Sequence, residues 1–181
     1  MEKEIKIKII SKQYELSKVL MEKLFYGLDY EEEDEDTREQ PAEGEEDVLE
    51  LTAEGYLSDN DGRIEITYDE SELTGMEGAT TKLSFDKSAP ELITMLRGGS
   101  VTTAMVFEAG IRHICVYETP IMPFELCIHT LKIKNELLTR GMIYLDYIVE
   151  FKGAQAERTK FTLWIEESSS SAMPLDEYDN I

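Results

Sequence analysis

Apolar residues recur at every second position along most of the chain, in short runs separated by Gly, Pro, Asn and Asp. Near the N-terminus, Ile5, Ile7 and Ile9 alternate with Lys6 and Lys8. Such an alternation places apolar side chains on one face of a β-strand and polar ones on the other. The pattern therefore predicts a chain built mainly of antiparallel strands.

Further runs of this kind follow at short spacing, at 48–57, 64–68, 82–85, 92–97, 101–108, 111–119, 124–134, 143–151 and 161–165. The stretch Asp59-Asn60-Asp61-Gly62 between two of them suits the positive φ of a tight hairpin turn. Pro90 is expected to end the strand at 82–85. A last turn centred near Gln155 predicts that Val149 faces Phe161 and Tyr147 faces Leu163.

About ten sequential strands without crossover helices indicate a single meander, which avoids exposed edges by closing into a barrel. We therefore predict an all-β fold, an antiparallel barrel of about 8–10 strands, with a two-sheet sandwich as the alternative. One domain is expected over 1–167, and the tail at 168–181 is expected to be disordered because it has no periodic apolar face.

Two segments between the first two strands depart from this pattern. Residues 14–28 carry leucines at helical spacing and predict one short amphipathic helix. Residues 29–47 contain a dense run of Asp and Glu with Arg38 as the one base, so a solvated, disordered loop is expected there.

Charge and cysteine content exclude several classes of function. The net charge is −21, which argues against binding to nucleic acid or to an anionic membrane surface. The N-terminal residues mix charges with isoleucines, unlike a signal peptide. The chain has two cysteines, too few for a secreted disulfide scaffold, and a cytoplasmic location is expected.

The order of short motifs from Glu65 to Thr130 resembles the YwiB-like family of bacterial proteins. The motifs are Tyr68-Asp69-Glu70, Thr80-Thr81, Arg97-Gly98-Gly99, Met105-Val106-Phe107, Tyr117-Glu118-Thr119 and Thr130. The resemblance extends more loosely from Ile5 to about Glu167. It implies a domain of unknown function with a calycin or lipocalin-like barrel. The segment at 14–47 and the stretch 120–123 depart from the family pattern.

Some polar residues share a strand face with apolar ones and are the candidate ligand-binding set. Tyr68 and Glu70 have the parity of Ile64 and Ile66, and Arg97 has that of Met95. The family resemblance adds three further candidates, Tyr117, Thr119 and Thr130. A buried Arg97 needs a partner, for which Glu70 is the candidate. The set either forms a buried network that closes one barrel end, contacts a ligand, or faces solvent.

The two histidines and two cysteines fall close together, as His113, Cys115, Cys127 and His129. With a turn centred on Ile121 they would form a Cys2His2 square on one sheet face. These residue types suit zinc, but a flat sheet does not readily present a tetrahedron. We therefore favour a cross-strand packing cluster and predict no metal site.

The sequence contains no Ser–His–Asp pattern and no phosphate-binding loop, so no catalytic residues or cofactor are predicted and an enzyme is disfavoured. The leading hypothesis is a barrel that binds a small apolar or anionic ligand near Arg97. The alternative is a protein-interaction, regulatory or purely structural barrel. A hollow interior would favour the first hypothesis, and an interior filled by side chains the second.

Overall fold

The fold is an antiparallel β-barrel, seen in a computed structural model that describes residues 2–15, 46–118, 120–151 and 156–166. Its ten strands are β1 (Glu2–Glu15), β2 (Glu46–Asn60), β3 (Arg63–Asp69), β4 (Thr80–Asp86), β5 (Ala89–Gly98), β6 (Thr102–Phe107), β7 (Arg112–Glu118), β8 (Pro123–Glu136), β9 (Met142–Phe151) and β10 (Ala156–Glu166). A 3-10 turn at Glu72–Thr74 and a one-turn helix α1 at Leu137–Arg140 complete the described elements.

Each strand pairs with its neighbours in sequence, and β1 closes the circle by pairing with both β2 and β10. The closing ladder is long, since β1 and β10 stay in register from Lys6↔Glu166 to Glu15↔Glu157. The all-β fold, the single antiparallel meander and its closure are therefore confirmed, and the two-sheet sandwich is excluded. Closure leaves every strand with two neighbours, which removes the edge strands of an open sheet.

Alternation along the strands fills the barrel with apolar side chains. In β3, for example, Ile64, Ile66 and Tyr68 are buried while the residues between them are partly exposed. Twelve large side chains among the described residues are less than 2% exposed. They are Phe107, Ile7, Ile64, Ile66, Leu83, Ile93, Met95, Ile128, Met142, Ile143, Leu145 and Ile148. Burial of this apolar area is the main force that holds the barrel together.

The turns confirm some sequence expectations and correct others. Asp61 and Gly62 both have positive φ, as expected for the tight turn between β2 and β3. Pro90 does not end a strand, because β4 already ends at Asp86 and Pro90 is the second residue of β5. Its side chain is exposed there, near the strand's beginning, where the missing N–H is tolerated.

The register between β9 and β10 differs from the prediction by four residues. Tyr147 pairs with Thr159 and Leu145 pairs with Phe161, rather than Tyr147 with Leu163. A displacement by an even number keeps every side chain on its face. The apolar faces therefore coincide as expected, although the predicted turn centre was wrong.

The first strand is longer than the sequence indicated, since β1 continues through Tyr14 to Glu15. The rest of the expected helix at 14–28 lies outside the described residues. So does the acidic segment at 29–47, except for Glu46 and Asp47, which belong to β2. Within the described ranges, no helix has the length and apolar character needed to cross a membrane.

Candidate functional site

A row of polar side chains crosses five neighbouring strands near one end of the barrel. Register pairs link Tyr68 on β3 to Thr81 on β4, Thr81 to Arg97 on β5, Arg97 to Thr103 on β6, and Thr103 to Tyr117 on β7. Tyr68, Thr81 and Thr103 are buried, and Arg97 and Tyr117 are half-buried. These side chains point to the same face as the core residues of their strands. The alternation of the sequence, which predicted that Tyr68, Glu70 and Arg97 point inward, therefore agrees with the structure.

Arg97 and Glu70 form an ion pair in this row. Arg97 Nε lies 3.5 Å from Glu70 Oε1, and the two side chains are 16% and 2% exposed. Thr81 joins them: its hydroxyl donates to Glu70 Oε1 and accepts a hydrogen bond of 3.3 Å from Arg97 Nε. A buried carboxylate with a cation and a hydroxyl donor beside it is compensated.

Among the described residues, the hydrogen bond that Arg97 donates comes from Nε, and its two terminal Nη groups donate none. A guanidinium carries five N–H donors in a planar fork, and its two Nη groups account for four of them. The fork that recognises carboxylates and phosphates is therefore left available on a largely buried side chain.

Two tyrosines lie beside this guanidinium. Burial raises the pKa of Tyr68, and the nearby Glu70 raises it further, against the opposing charge of Arg97. Burial also raises the pKa of Tyr147, while the charge of Arg97 and the hydroxyl of Thr159, its register partner, oppose the shift. The Tyr147 ring packs edge-on against Phe107 at 4.9 Å. Both phenols stay neutral over the physiological range, so they act as hydrogen-bonding groups and not as bases.

The three candidates that came from the family resemblance are placed differently. Thr130 is fully buried, pairs with Tyr147, and its hydroxyl has no partner among the described residues. The Tyr117 hydroxyl lies 3.7 Å from Met76 Sδ, towards the rim of the barrel. Thr119 lies outside the described residues.

Sequence reasoning missed four residues of this end, Thr81, Tyr147, Thr159 and Glu157. Thr81 has the parity of Leu83 and Phe85, and Tyr147 has the parity of Leu145, so the same alternation could have found both. Burial raises the pKa of Glu157, nearby Asp47 raises it further, and a hydrogen bond from Thr159 opposes the shift.

Two cavities border this end of the barrel. One, of about 430 Å³, is lined by Leu96, Arg97, Thr102, Thr103, Ala104, Val116 and Glu118. The other, of about 360 Å³, lies among Glu72, Gly75, Glu77, Ser100, Val101 and Pro120. The middle of the barrel is filled by ten of the twelve fully buried side chains, all except Met142 and Ile148. Ligand space therefore lies at the polar end, the end of the barrel that carries Arg97 and Glu70.

The predicted cluster of His113, Cys115, Cys127 and His129 does not form. Cys115 pairs with Leu126 and Ile114 pairs with Cys127, one residue away from the expected register. An odd shift moves the two cysteines to opposite faces of the sheet. Cys115 is in the core, whereas Cys127 and His129 share the outer face with Ile114, which is 69% exposed. The packing-cluster prediction was therefore wrong, and neither a square nor a zinc site can be built from these four residues.

The fold and the polar end of the barrel together define the class of protein. It is a closed ten-stranded antiparallel barrel with an arginine, paired with a carboxylate, at one end of its interior. The chain belongs to the family described as Domain of unknown function (DUF1934), whose model matches residues 35–163. The crystal structure of ywiB protein from Bacillus subtilis is similar, with a TM-score of 0.57 and 15% identity over 91% of this chain and 94% of that chain. At 15% sequence identity, this similarity shows a shared fold and nothing about function. No curated protein matches the sequence.

Proposed function

We propose that the protein is a small-molecule-binding barrel, analogous to lipocalin-like barrels, and that its ligand is a small organic acid whose carboxylate binds Arg97. The observation that carries this proposal is the half-satisfied guanidinium. Its Nε pairs with Glu70 and Thr81, which fixes the side chain, while both Nη groups donate no hydrogen bond among the described residues. An arginine held in this way presents a bidentate donor pair to a planar anion.

The surroundings support a monoanion in preference to a phosphate. Glu70 already compensates the charge of Arg97, and Glu157 adds a second carboxyl group at the same end. Repulsion by Glu70 and Glu157 grows with the charge of the anion, so it opposes a dianion more than a carboxylate, whose single charge is offset by the guanidinium and the neutral hydroxyls of Tyr68 and Tyr147.

Packing limits the size of the ligand. Because the middle of the barrel is filled, the apolar part of the acid has to lie along the polar end and the 430 Å³ cavity that Arg97 and Thr103 line. This favours a short acid over a long acyl chain. Both cysteines are free, which supports the expectation of a reducing, cytoplasmic setting.

Calorimetric titration with matched pairs of ligands tests the proposal. Each short aliphatic or aromatic carboxylate is compared with its primary amide, which has the same shape without the charge. We expect saturable binding of at least one acid and on the order of tenfold weaker binding of its amide. The double variant Arg97→Met with Glu70→Gln should abolish binding without stranding a buried charge. Arg140→Met, at an arginine whose side chain is 61% exposed, is the control and should bind normally. Equal binding of acids and amides, or unchanged binding by the double variant, would overturn the proposal.

A further inference from the structure

Thr103 on β6 carries a buried hydroxyl that the protein does not satisfy. The residue is 4% exposed, and its Oγ1 has no hydrogen-bond partner among the described residues. The neighbouring Cys115 thiol is a weak hydrogen-bonding group, and the Thr103 hydroxyl only opposes the rise that burial causes in the pKa of this thiol. Buried hydroxyls are seldom left unpaired, because burial without a hydrogen bond costs free energy. A polar group of a bound molecule would satisfy Thr103.

Thr103 lies beside the arginine to which the proposed ligand binds. It is the register partner of Arg97 across β5 and β6, and both residues line the 430 Å³ cavity. Register partners in an antiparallel sheet point to the same face, with Cβ atoms about 4.5–5.5 Å apart. A ligand whose carboxylate is bound to Arg97 therefore reaches Thr103 with a group attached close to that carboxylate.

The cavity is lined by residues from both faces of the barrel wall. Arg97 and Thr103 share the inner face with the core, whereas Leu96, Ala104 and Val116 alternate with inward-pointing residues and are exposed. The cavity therefore has a polar inner part and an apolar outer part. A short acid can bind Arg97 and place its hydrocarbon part against the outer residues.

The charges around the cavity favour an uncharged second group on the ligand. Glu118 also lines the cavity, so a second carboxylate on the ligand would meet repulsion there. An ammonium group would bring a positive charge to a buried neutral hydroxyl beside Arg97. A hydroxyl group avoids both penalties, and it can donate a hydrogen bond to Thr103 or accept one from it.

We propose that the ligand is a 2-hydroxy acid and that Thr103 is the residue that selects it. The carboxylate binds the Nη groups of Arg97, and the hydroxyl group on the adjacent carbon forms a hydrogen bond with Thr103 Oγ1. The hydrocarbon part lies against Leu96, Ala104 and Val116. This inference rests on the carboxylate site of the proposed function and adds the ligand class and a specificity-determining residue. Because Thr103 is uncharged, it determines which acid is preferred, while Arg97 determines that an acid binds.

Calorimetric titration of the full chain compares butanoate with both enantiomers of 2-hydroxybutanoate, and phenylacetate with both enantiomers of mandelate. We expect one enantiomer of at least one hydroxy acid to bind about fivefold more tightly than its parent acid, which is the gain from one net hydrogen bond. Thr103→Val removes the hydroxyl and keeps the shape of the side chain. It should abolish this preference and still bind the parent acid, which also shows that the variant is folded.

Two further variants separate the hydroxyl of Thr103 from other effects of substitution. Thr103→Ser keeps the hydroxyl and should keep the preference for the hydroxy acid. Thr162→Val makes the same chemical change at a half-buried threonine on the outer face of β10 and should leave the preference unchanged.

The outcomes distinguish this inference from the carboxylate site on which it rests. Equal binding of the parent and 2-hydroxy acids, or a preference that survives in Thr103→Val, would overturn the inference and leave the carboxylate site standing. Tighter binding of 2-aminobutanoate than of 2-hydroxybutanoate would also overturn it, because the second group would then be a cation. If none of these acids binds, the carboxylate site is wrong and the inference falls with it.

Discussion

Arg97 and Glu70 form an ion pair inside one end of the barrel, 3.5 Å apart, although Arg97 lies on β5 and Glu70 directly follows β3, two strands that do not pair with each other. Thr81 on the intervening strand β4 bridges them by hydrogen bonds to both. The pair therefore ties three strands together at the polar end. It also determines which part of the guanidinium remains available for a ligand.

Breaking this pair from one side should destabilise the fold strongly. Arg97→Met leaves the Glu70 carboxylate buried without a cation, at a cost of about 3 kcal/mol in the free energy of unfolding. Adding Glu70→Gln should recover most of that loss, because the buried charge is then removed. Urea unfolding of the two single variants and the double variant measures the coupling energy.

The exposed pair Arg63–Asp86 provides a matched control. It lies at 3.6 Å with side chains about half exposed, 49% and 55%. Solvent screening should hold its coupling energy below about 1 kcal/mol in the same cycle, made with Arg63→Met and Asp86→Asn. Additive effects at Arg97 and Glu70, like those expected of the control, would contradict the described contact.

Gly55 is required by close packing in the wall of the barrel. A Cβ at this position would lie 2.5 Å from the carbonyl oxygen of Thr67 and 2.6 Å from Ile7 Cδ1. Gly55→Ala should therefore lower the free energy of unfolding by about 1–3 kcal/mol, as overpacking does. Gly98→Ala is the control, because no atom lies within 4 Å of its added Cβ, and its stability should change by less than about 0.5 kcal/mol.

Glu157 should make the fold less stable as the pH rises. Burial raises its folded-state pKa above the ordinary value, so the folded chain holds this proton more tightly than the unfolded chain. Its unfavourable contribution begins near the unfolded pKa, about 4.3, and is complete above the raised folded pKa. Glu157→Gln should therefore raise the thermal midpoint at pH 7, and the gain should vanish at pH 4. A gain that is the same at both pH values would contradict this account.

The two cysteines should differ in reactivity and should not form a disulfide with each other. Cys115 is 7% exposed in the core, while Cys127 is half-buried on the outer face. Burial raises the pKa of both thiols, which lowers their thiolate fraction. Iodoacetamide labelling followed by mass spectrometry should modify Cys127 first and Cys115 more slowly. Faster labelling of Cys115 would mean that the register between β7 and β8 is different.

The sequence predicted the fold well because alternation is a local signal that repeats in every strand. The parity of Ile64 and Ile66 placed Tyr68 and Glu70 inside, and the parity of Met95 placed Arg97 there. Pairing Arg97 with Glu70 was also correct, since a buried guanidinium needs a carboxylate on a nearby strand.

Register was less predictable because it depends on where each turn is centred. For β9 and β10 the register error was an even number of residues, so every side chain stayed on its predicted face. For β7 and β8 the register error was one residue, which placed Cys115 and Cys127 on opposite faces of the sheet. Tyr147 and Thr81 were missed for another reason. Their proximity to Arg97 follows from neighbouring strands and barrel closure, which the parity of a single strand does not encode.

Crystals soaked with a short bromine-substituted carboxylic acid test the central claim most directly, because anomalous scattering locates the bromine independently of the protein model. The account predicts a bromine peak at the polar end of the barrel, with the carboxylate oxygens about 2.7–2.9 Å from the two Nη atoms of Arg97. The peak should be absent from crystals of the double variant Arg97→Met with Glu70→Gln. Bromine found only at sites remote from Arg97, or at the polar end of both proteins alike, would contradict it.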